Sequence, residues 1–204
     1  MSLGTYALTT LAHLKEAMGV THSTNDELLE RGIDAVTSRF ETETRRKLKA
    51  RDYSYVATAD AYDADNAILD GNDRDHLVLP QYPIVSLTTL RINETAITER
   101  SSIYGCGWVL DKKNGVVMLN CYLFSKGRRN IELVYNAGLT TVPDDLANAC
   151  IEQALWSFKQ SIPGGNLLGV ASKALADGSI SYTAKDLLPG VETVLENYKK
   201  RFAF

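Results

Sequence analysis

Cysteine is scarce in this chain: three residues in 204, at Cys106, Cys121 and Cys150. The number is odd and none forms a CxxC pair. That argues against a disulfide framework or a structural zinc site and points to a reducing cytoplasm. Histidine is equally rare, and His13, His22 and His76 never fall at HxH or HxxxH spacing. The glycine clusters "GCG" (105–107) and "PGGN" (163–166) match neither a P-loop nor GxGxxG, which excludes the common nucleotide-binding loops. No run reaches the ~18 apolar residues of a membrane span. The opening "MSLGTYALTT" lacks the charged region and apolar core of a secretory signal. An excess of positive charge is missing too: the formal net charge is −3, so binding nucleic acid through the whole surface is disfavoured. The expectation is a soluble intracellular protein with no metal, no cofactor and no membrane contact.

What is present is apolar patterning in quantity. Hydrophobic residues make up 45% of the chain, enough for one good core or two small ones. "LTTLAHLKEAMG" reads as a short helix capped by Thr9 or Thr10 and ended by Gly19. A long amphipathic helix follows, from about Asn25 to Lys49. Thr24 and Glu27 stand at capping-box spacing, and Leu29, Ile33, Val36, Phe40 and Leu48 recur at helical intervals. From Tyr53 to Tyr135 the signals turn to β: "SYVAT", "HLVLP", "VSLTTLRIN", "GWVL", "GVVML" and "IELVY". "WVLDKKNGVVML" predicts a hairpin closed around Asn114-Gly115. Pro80 and Pro83 bracket a turn. In the strand that follows, Val85 and Leu87 are out of phase with Leu90 and Ile92, so a bulge or two-sided burial is expected. Helix returns at Pro143. Beyond the break at "SIPGGN", "LLGVASKAL" can be helical, "GSISYTA" is extended or loop, and Pro189 opens a last helix with Val191, Val194, Leu195 and Tyr198 on one face.

Few residues suggest chemistry. The acids of "DAYDADNAILDGNDRD" lack the order and the distant Glu of a calcium loop, so a solvated turn is the expectation. Cys121 and Cys150 lie in apolar runs and read as core. Asp144 and Asp145 follow a proline at a helix start, where acids meet free N–H groups and the positive end of the dipole. They read as a helix start and not as a catalytic pair. Arg45, Arg46, Lys49, Arg128 and Arg129 form a candidate basic patch for phosphates or an acidic partner, against the plainer reading of solvated helix ends. The helix after Pro143 is the informative feature. Leu146, Ala147, Ala149, Cys150, Ile151, Ala154, Leu155, Trp156 and Phe158 cover more than one stripe, which suits a helix shared between core and subunit contact.

Four stretches in this order carry a resemblance: "LTTLAHLKEAMGV…NDELLERGIDAVTSRFETETRRKL", "LVLPQYPIVSLTTLRIN", "IELVYNAGLTTVPDDLANACIEQALWSF" and "GSISYTAKDLLPGVETVLENYKKRF". Together they resemble the head–tail connector proteins (adaptor, or head-completion proteins) of long-tailed bacteriophages and prophages. The β portion is larger than in the compact, nearly all-helical connectors. The resemblance implies a structural virion protein of the phage neck, made in the host bacterial cytoplasm. Such proteins form a ring, commonly dodecameric, that joins the portal protein to a tail-side completion or tail terminator protein. The ring extends a channel through which DNA passes without specific binding.

The expected fold class is α+β. A small antiparallel helical bundle (1–52 plus 141–204) carries a β-rich insertion (53–136) between its second and third main helices and ends in a C-terminal arm, all within a single domain. Candidate subunit or partner contacts are Leu146, Ile151, Leu155, Trp156, Phe158, Tyr198, Phe202 and Phe204. No catalytic residue is assigned. The alternative function is DNA binding through the basic end of the second helix.

Overall fold

The structure is a computed structural model, and it describes residues 3–55, 64–161, 172–175, 178–181 and 187–200. Phe202 and Phe204 lie outside the described residues. The chain is α+β and divides into two compact units. One is drawn from both ends (residues 1–45 and 142–203) and the other from the middle (46–141).

The end-derived unit is mainly helical. Helix α1 spans Leu11–Met18 and α2 spans Asp26–Thr44. Thr10 caps α1 by accepting the His13 N–H, and Gly19 closes it at φ 67°. The Gly19 and Val20 N–H groups donate back to Glu16 and Lys15, a Schellman closure that satisfies the free carbonyls. Helix α2 departs from expectation at both ends. Asn25 is its N-cap with no side-chain bond, so Thr24 and Glu27 make no capping box. It stops at Thr44, five residues short of Lys49, because Arg45 adopts a left-handed φ of 55°.

Helix α4 spans Asp144–Ser161 and α5 spans Pro189–Tyr198. The Pro143 carbonyl accepts the Ala147 N–H, which puts the proline at the N-cap, one place before the first helical residue. Leu14, Leu29, Ile33, Phe40, Leu146, Cys150, Val191 and Leu195 are buried in this unit. Each such aliphatic or aromatic side chain stabilises the fold by about 1.5–3 kcal/mol. Gln153 is buried mid-α4, and its Oε1 accepts the Leu188 N–H at the start of α5. Of the stretch 167–175, expected to be able to form a helix, residues 167–171 lie outside the described residues and 172–175 are instead a strand, β9 (Ser172–Leu175), paired antiparallel with β10 (Gly178–Ser181).

The middle unit holds β1 (Arg51–Ser54), a single turn α3 (Ala64–Ala67), β2 (Ile68–Gly71), β3 (His76–Val78), β4 (Ile84–Ile92), β5 (Thr95–Ile97), β6 (Gly107–Asp111), β7 (Val116–Asn120) and β8 (Gly127–Ala137). The pairings between these strands are antiparallel. One sheet runs β1-β8-β4-β5 with β2 also on β8, and the second runs β3-β7-β6. Strand β8 alternates as its sequence predicts: Ile131, Leu133, Tyr135 and Ala137 are buried and the residues between them are not. Tyr135 stacks on its register partner Tyr53, ring centroids 5.1 Å apart. The two sheets share one core, to which Leu90 and Leu133 come from the first and Trp108 and Val117 from the second. The phase break in β4 is a bulge, with register shifts at Ile84/Ser86 and Leu87/Thr89. The hairpin around Asn114-Gly115 forms as expected.

The Tyr135-Asn136-Ala137-Gly138 stretch now has a physical cause. Gly138 has φ 122°, and a Cβ there would sit 2.7 Å from the Ala50 backbone nitrogen. The returning strand crosses the outgoing one at this point, where Lys49 pairs with Leu139. Only glycine lets the backbones approach so closely.

One cysteine expectation is overturned. Cys106 and Cys121 form a disulfide, Cα atoms 5.2 Å apart, and both are exposed. Cys121 is therefore not a core residue. Cys150 is buried, and burial, with the charge of Asp34 adding to it, pushes its thiol up to about 12 against a hydrogen bond with Thr37. No helix among the described residues is long and apolar enough to cross a membrane.

Candidate interaction surfaces

The expected contact residues on α4 divide by position. Leu146 is fully buried, so it belongs to the core and offers nothing to a partner. Ile151, Leu155 and Phe158 are half-buried and recur at i, i+4 and i+7 along one flank of the helix. Trp156 is half-buried on the other flank. Tyr198 is held by its own molecule: its hydroxyl donates to Asp145, 2.8 Å from Oδ1 and 3.0 Å from Oδ2. Burial first, then the hydrogen bond and charge of Asp145, push its phenol up to about 12. Asp145 also accepts the Leu146 N–H, one of the free donors of the first turn.

The five expected cations are not gathered. Arg45 is exposed at the end of α2. Arg46 is buried in the middle unit, its guanidinium 4.1 Å over the Tyr82 ring and donating to the Tyr82 carbonyl. Lys49 pairs with Leu139 just past the C-terminal end of β8, while Arg128 and Arg129 sit at its N-terminal end. At ~3.3 Å per strand residue those ends lie about 30 Å apart.

The acidic turn uses its own oxygens. Asp70 accepts the Arg129 N–H at 2.6 Å, and Asn72 bonds both the Arg74 N–H and the His76 carbonyl. Asp75 lies 2.8 Å from the His76 ring, and that bond holds its carboxyl below the usual range. Among the described residues, no group of three or more His, Cys, Asp or Glu is placed to hold a metal ion.

Reading the sequence alone missed the most exposed large apolar groups among the described residues. Ile103 and Tyr104 are 76% and 93% exposed. They fill the central positions of a turn closed by the Gly105 N–H donating to the Ser102 carbonyl. Tyr122 and Leu123, also exposed, follow Cys121 in the neighbouring loop, and the disulfide ties the two loops together. Asn120 adds a bond from Nδ2 to the Gly105 carbonyl at 2.7 Å. The base of the first loop is pinned by Trp108, which exchanges backbone bonds with Thr98 and Arg100. The second loop is anchored by Phe124, fully buried and bonded to Arg74 and Asp73. The available signal was "SSIYGCG", a polar and glycine-flanked turn with two large apolar residues at its apex.

Beside this knob lies a hollow of about 530 Å³ on the outer face of the β3-β7-β6 sheet. Register places Val109 opposite Met118 and Val116 opposite Val78 on that face. Asp75, His76 and Arg100 also line the hollow.

The conspicuous surface groups, Ile103, Tyr104, Tyr122 and Leu123, are apolar and held on stapled loops, a chemistry suited to contact. The head completion protein family model matches residues 7–201, and the chain belongs to that family. No curated protein matches the sequence. The fold is similar to a chain in the neck of a native GTA particle computed with C12 symmetry, at TM-score 0.59 and 18% identity, covering 100% of this chain and 94% of that one. It is also similar to a chain in the neck of an empty GTA particle computed with C6 symmetry, at TM-score 0.58 and 18% identity, covering 100% and 95%. A third similar chain comes from the virion of a native gene transfer agent (GTA) particle, at TM-score 0.55 and 15% identity, covering 100% and 95%.

Proposed function

We propose that this chain is a structural component of a phage-type neck, an adaptor that closes into a ring between the portal and the tail. The observation that carries the reading is the family match from residue 7 to 201. Likeness of fold, over the whole chain, to proteins from necks computed with C12 and C6 symmetry supports it. In this reading the ring lengthens the DNA channel. The tail-side completion or tail terminator protein docks on its far face. The half-buried flank of α4 (Ile151, Leu155, Phe158) serves one subunit contact, since a closed ring needs a heterologous interface.

DNA passes without being held. The net charge of −3 and the scattered cations support that, because strong phosphate binding would retard passage. An exposed disulfide suits a particle released into oxidising surroundings. The test is a deletion of the gene. Heads should fill with DNA and remain without tails, whereas normally tailed particles would refute the reading.

A further inference from the structure

We propose that the stapled knob of one copy (Ile103 and Tyr104, with Tyr122 and Leu123) seats in the hollow formed by Val109, Val116 and Met118 of the next copy. This rests on the ring reading and names a contact within it.

The knob is built for docking. Its four apolar side chains are exposed, yet each loop is pinned by backbone bonds, by Asn120 or Phe124, and by the Cys106–Cys121 bridge. Aromatics on a pre-organised support lose little conformational entropy on binding, which is the property of an interface anchor. A sequence of Ser, Ser, Ile, Tyr and Gly (101–105) also carries no charge to desolvate.

The hollow is its counterpart. Its floor is a sheet face bearing valines and a methionine where an exposed sheet would carry polar side chains, and Met118 is 41% exposed. Methionine adapts its shape to an inserted ring. The volume of about 530 Å³ falls in the range of roughly 300–1,000 Å³ typical of sites that hold small molecules, ample for an inserted tyrosine side chain. Arg100 and His76 line it, a cation and a ring able to meet a tyrosine face or hydroxyl.

The occupant follows from the pairing of these features. A protrusion and a recess on one unit form two different patches of a single chain. Two different patches that fit each other generate head-to-tail contacts, the kind that closes into a ring when the rotation from copy to copy divides a full turn and runs on as a filament when it does not. A partner of another kind would need only one of the two.

The experiment uses the full-length protein with Tyr104→Asp and, separately, Met118→Asp, both at exposed positions. Sedimentation velocity over a wide concentration range should show the wild type self-associating and each variant monomeric. An equimolar mixture should form dimers and stop there, since one intact knob and one intact hollow remain to meet. Oligomers persisting in Tyr104→Asp, or a mixture that stays monomeric, overturn the contact and leave the adaptor reading standing. A wild type that is monomeric throughout overturns it as well, while the adaptor reading is judged separately by the tail-less phenotype of the deletion. Rings that persist in Tyr104→Asp while its particles lose tails would assign the knob to another neck protein and also overturn the contact.

Discussion

The hydroxyl of Tyr198, at the last turn of α5, donates to the carboxylate of Asp145, at the first turn of α4, 2.8 Å from Oδ1. With the Leu188 N–H bonded to Gln153 at the other end of α5, the two helices run antiparallel and are fastened at two points.

Removing the first fastening by Tyr198→Phe should cost about 0.5 kcal/mol in urea unfolding, the low end for a hydrogen bond because the pair is largely exposed. The pH dependence has a definite sign. The folded phenol is raised to about 12, above the ordinary value near 10. Its contribution is complete below pH ~10 and is lost as pH rises towards 12. Difference ultraviolet titration should show a late-ionising tyrosine in the wild type that the Phe variant lacks.

Two glycines make opposite predictions. Gly138→Ala should destabilise by about 1–3 kcal/mol, since φ is 122° and the new Cβ meets the Ala50 and Lys49 backbone. Gly190→Ala, in the first turn of α5 with open space around it, should stabilise by about 0.4–1 kcal/mol. Chemical denaturation of both, side by side, checks the pair.

Thiol counting should proceed in steps. The native protein gives no signal with a disulfide-exchange reagent. Mild reduction exposes the exposed pair Cys106 and Cys121. Cys150 reacts only on unfolding, because its burial and raised thiol deny both access and thiolate. A fast-reacting thiol in the untreated native protein would contradict this order.

The two tryptophans report on different units. Trp108 is buried under the β sheets with its Nε1 on the Ile97 carbonyl. Trp156 is half-buried on α4. Trp156→Ala should therefore cost about 2 kcal/mol, below the ~3–5 expected of a fully buried tryptophan and of Trp108→Ala. Equal losses at the two sites would mean that α4 packs Trp156 more deeply than its exposure indicates.

The sequence disclosed elements whose signals are local. Thr10 and Gly19 framed α1, Asn114-Gly115 closed a hairpin, and the broken phase from Val85 to Ile92 announced a bulge. It misled where a residue obeys one pattern while serving another. Leu48 falls at helical spacing from Phe40, yet it is buried in the β unit. The residue that ends α2 is Arg45, in a left-handed position usually given to glycine, so no stop signal was visible. A run of cations concealed that Arg46 is buried on Tyr82. The disulfide was legible through register alone: Gly107 pairs with Asn120, and one step further out in the same hairpin stand Cys106 and Cys121. Counting cysteines cannot supply that step. The exposed knob was harder still, since exposure depends on which apolar residues the core leaves unused.

The pairing of Lys49 with Leu139, continued by β1 on β8, has a consequence for loop length. The chain enters and leaves the β unit through two hydrogen-bonded neighbours. Joining its ends therefore spans little distance and costs little closure entropy. Residues 46–141 behave as a cassette with a single seam. Changes of length among its loops therefore need not part the two backbone neighbours at Lys49 and Leu139.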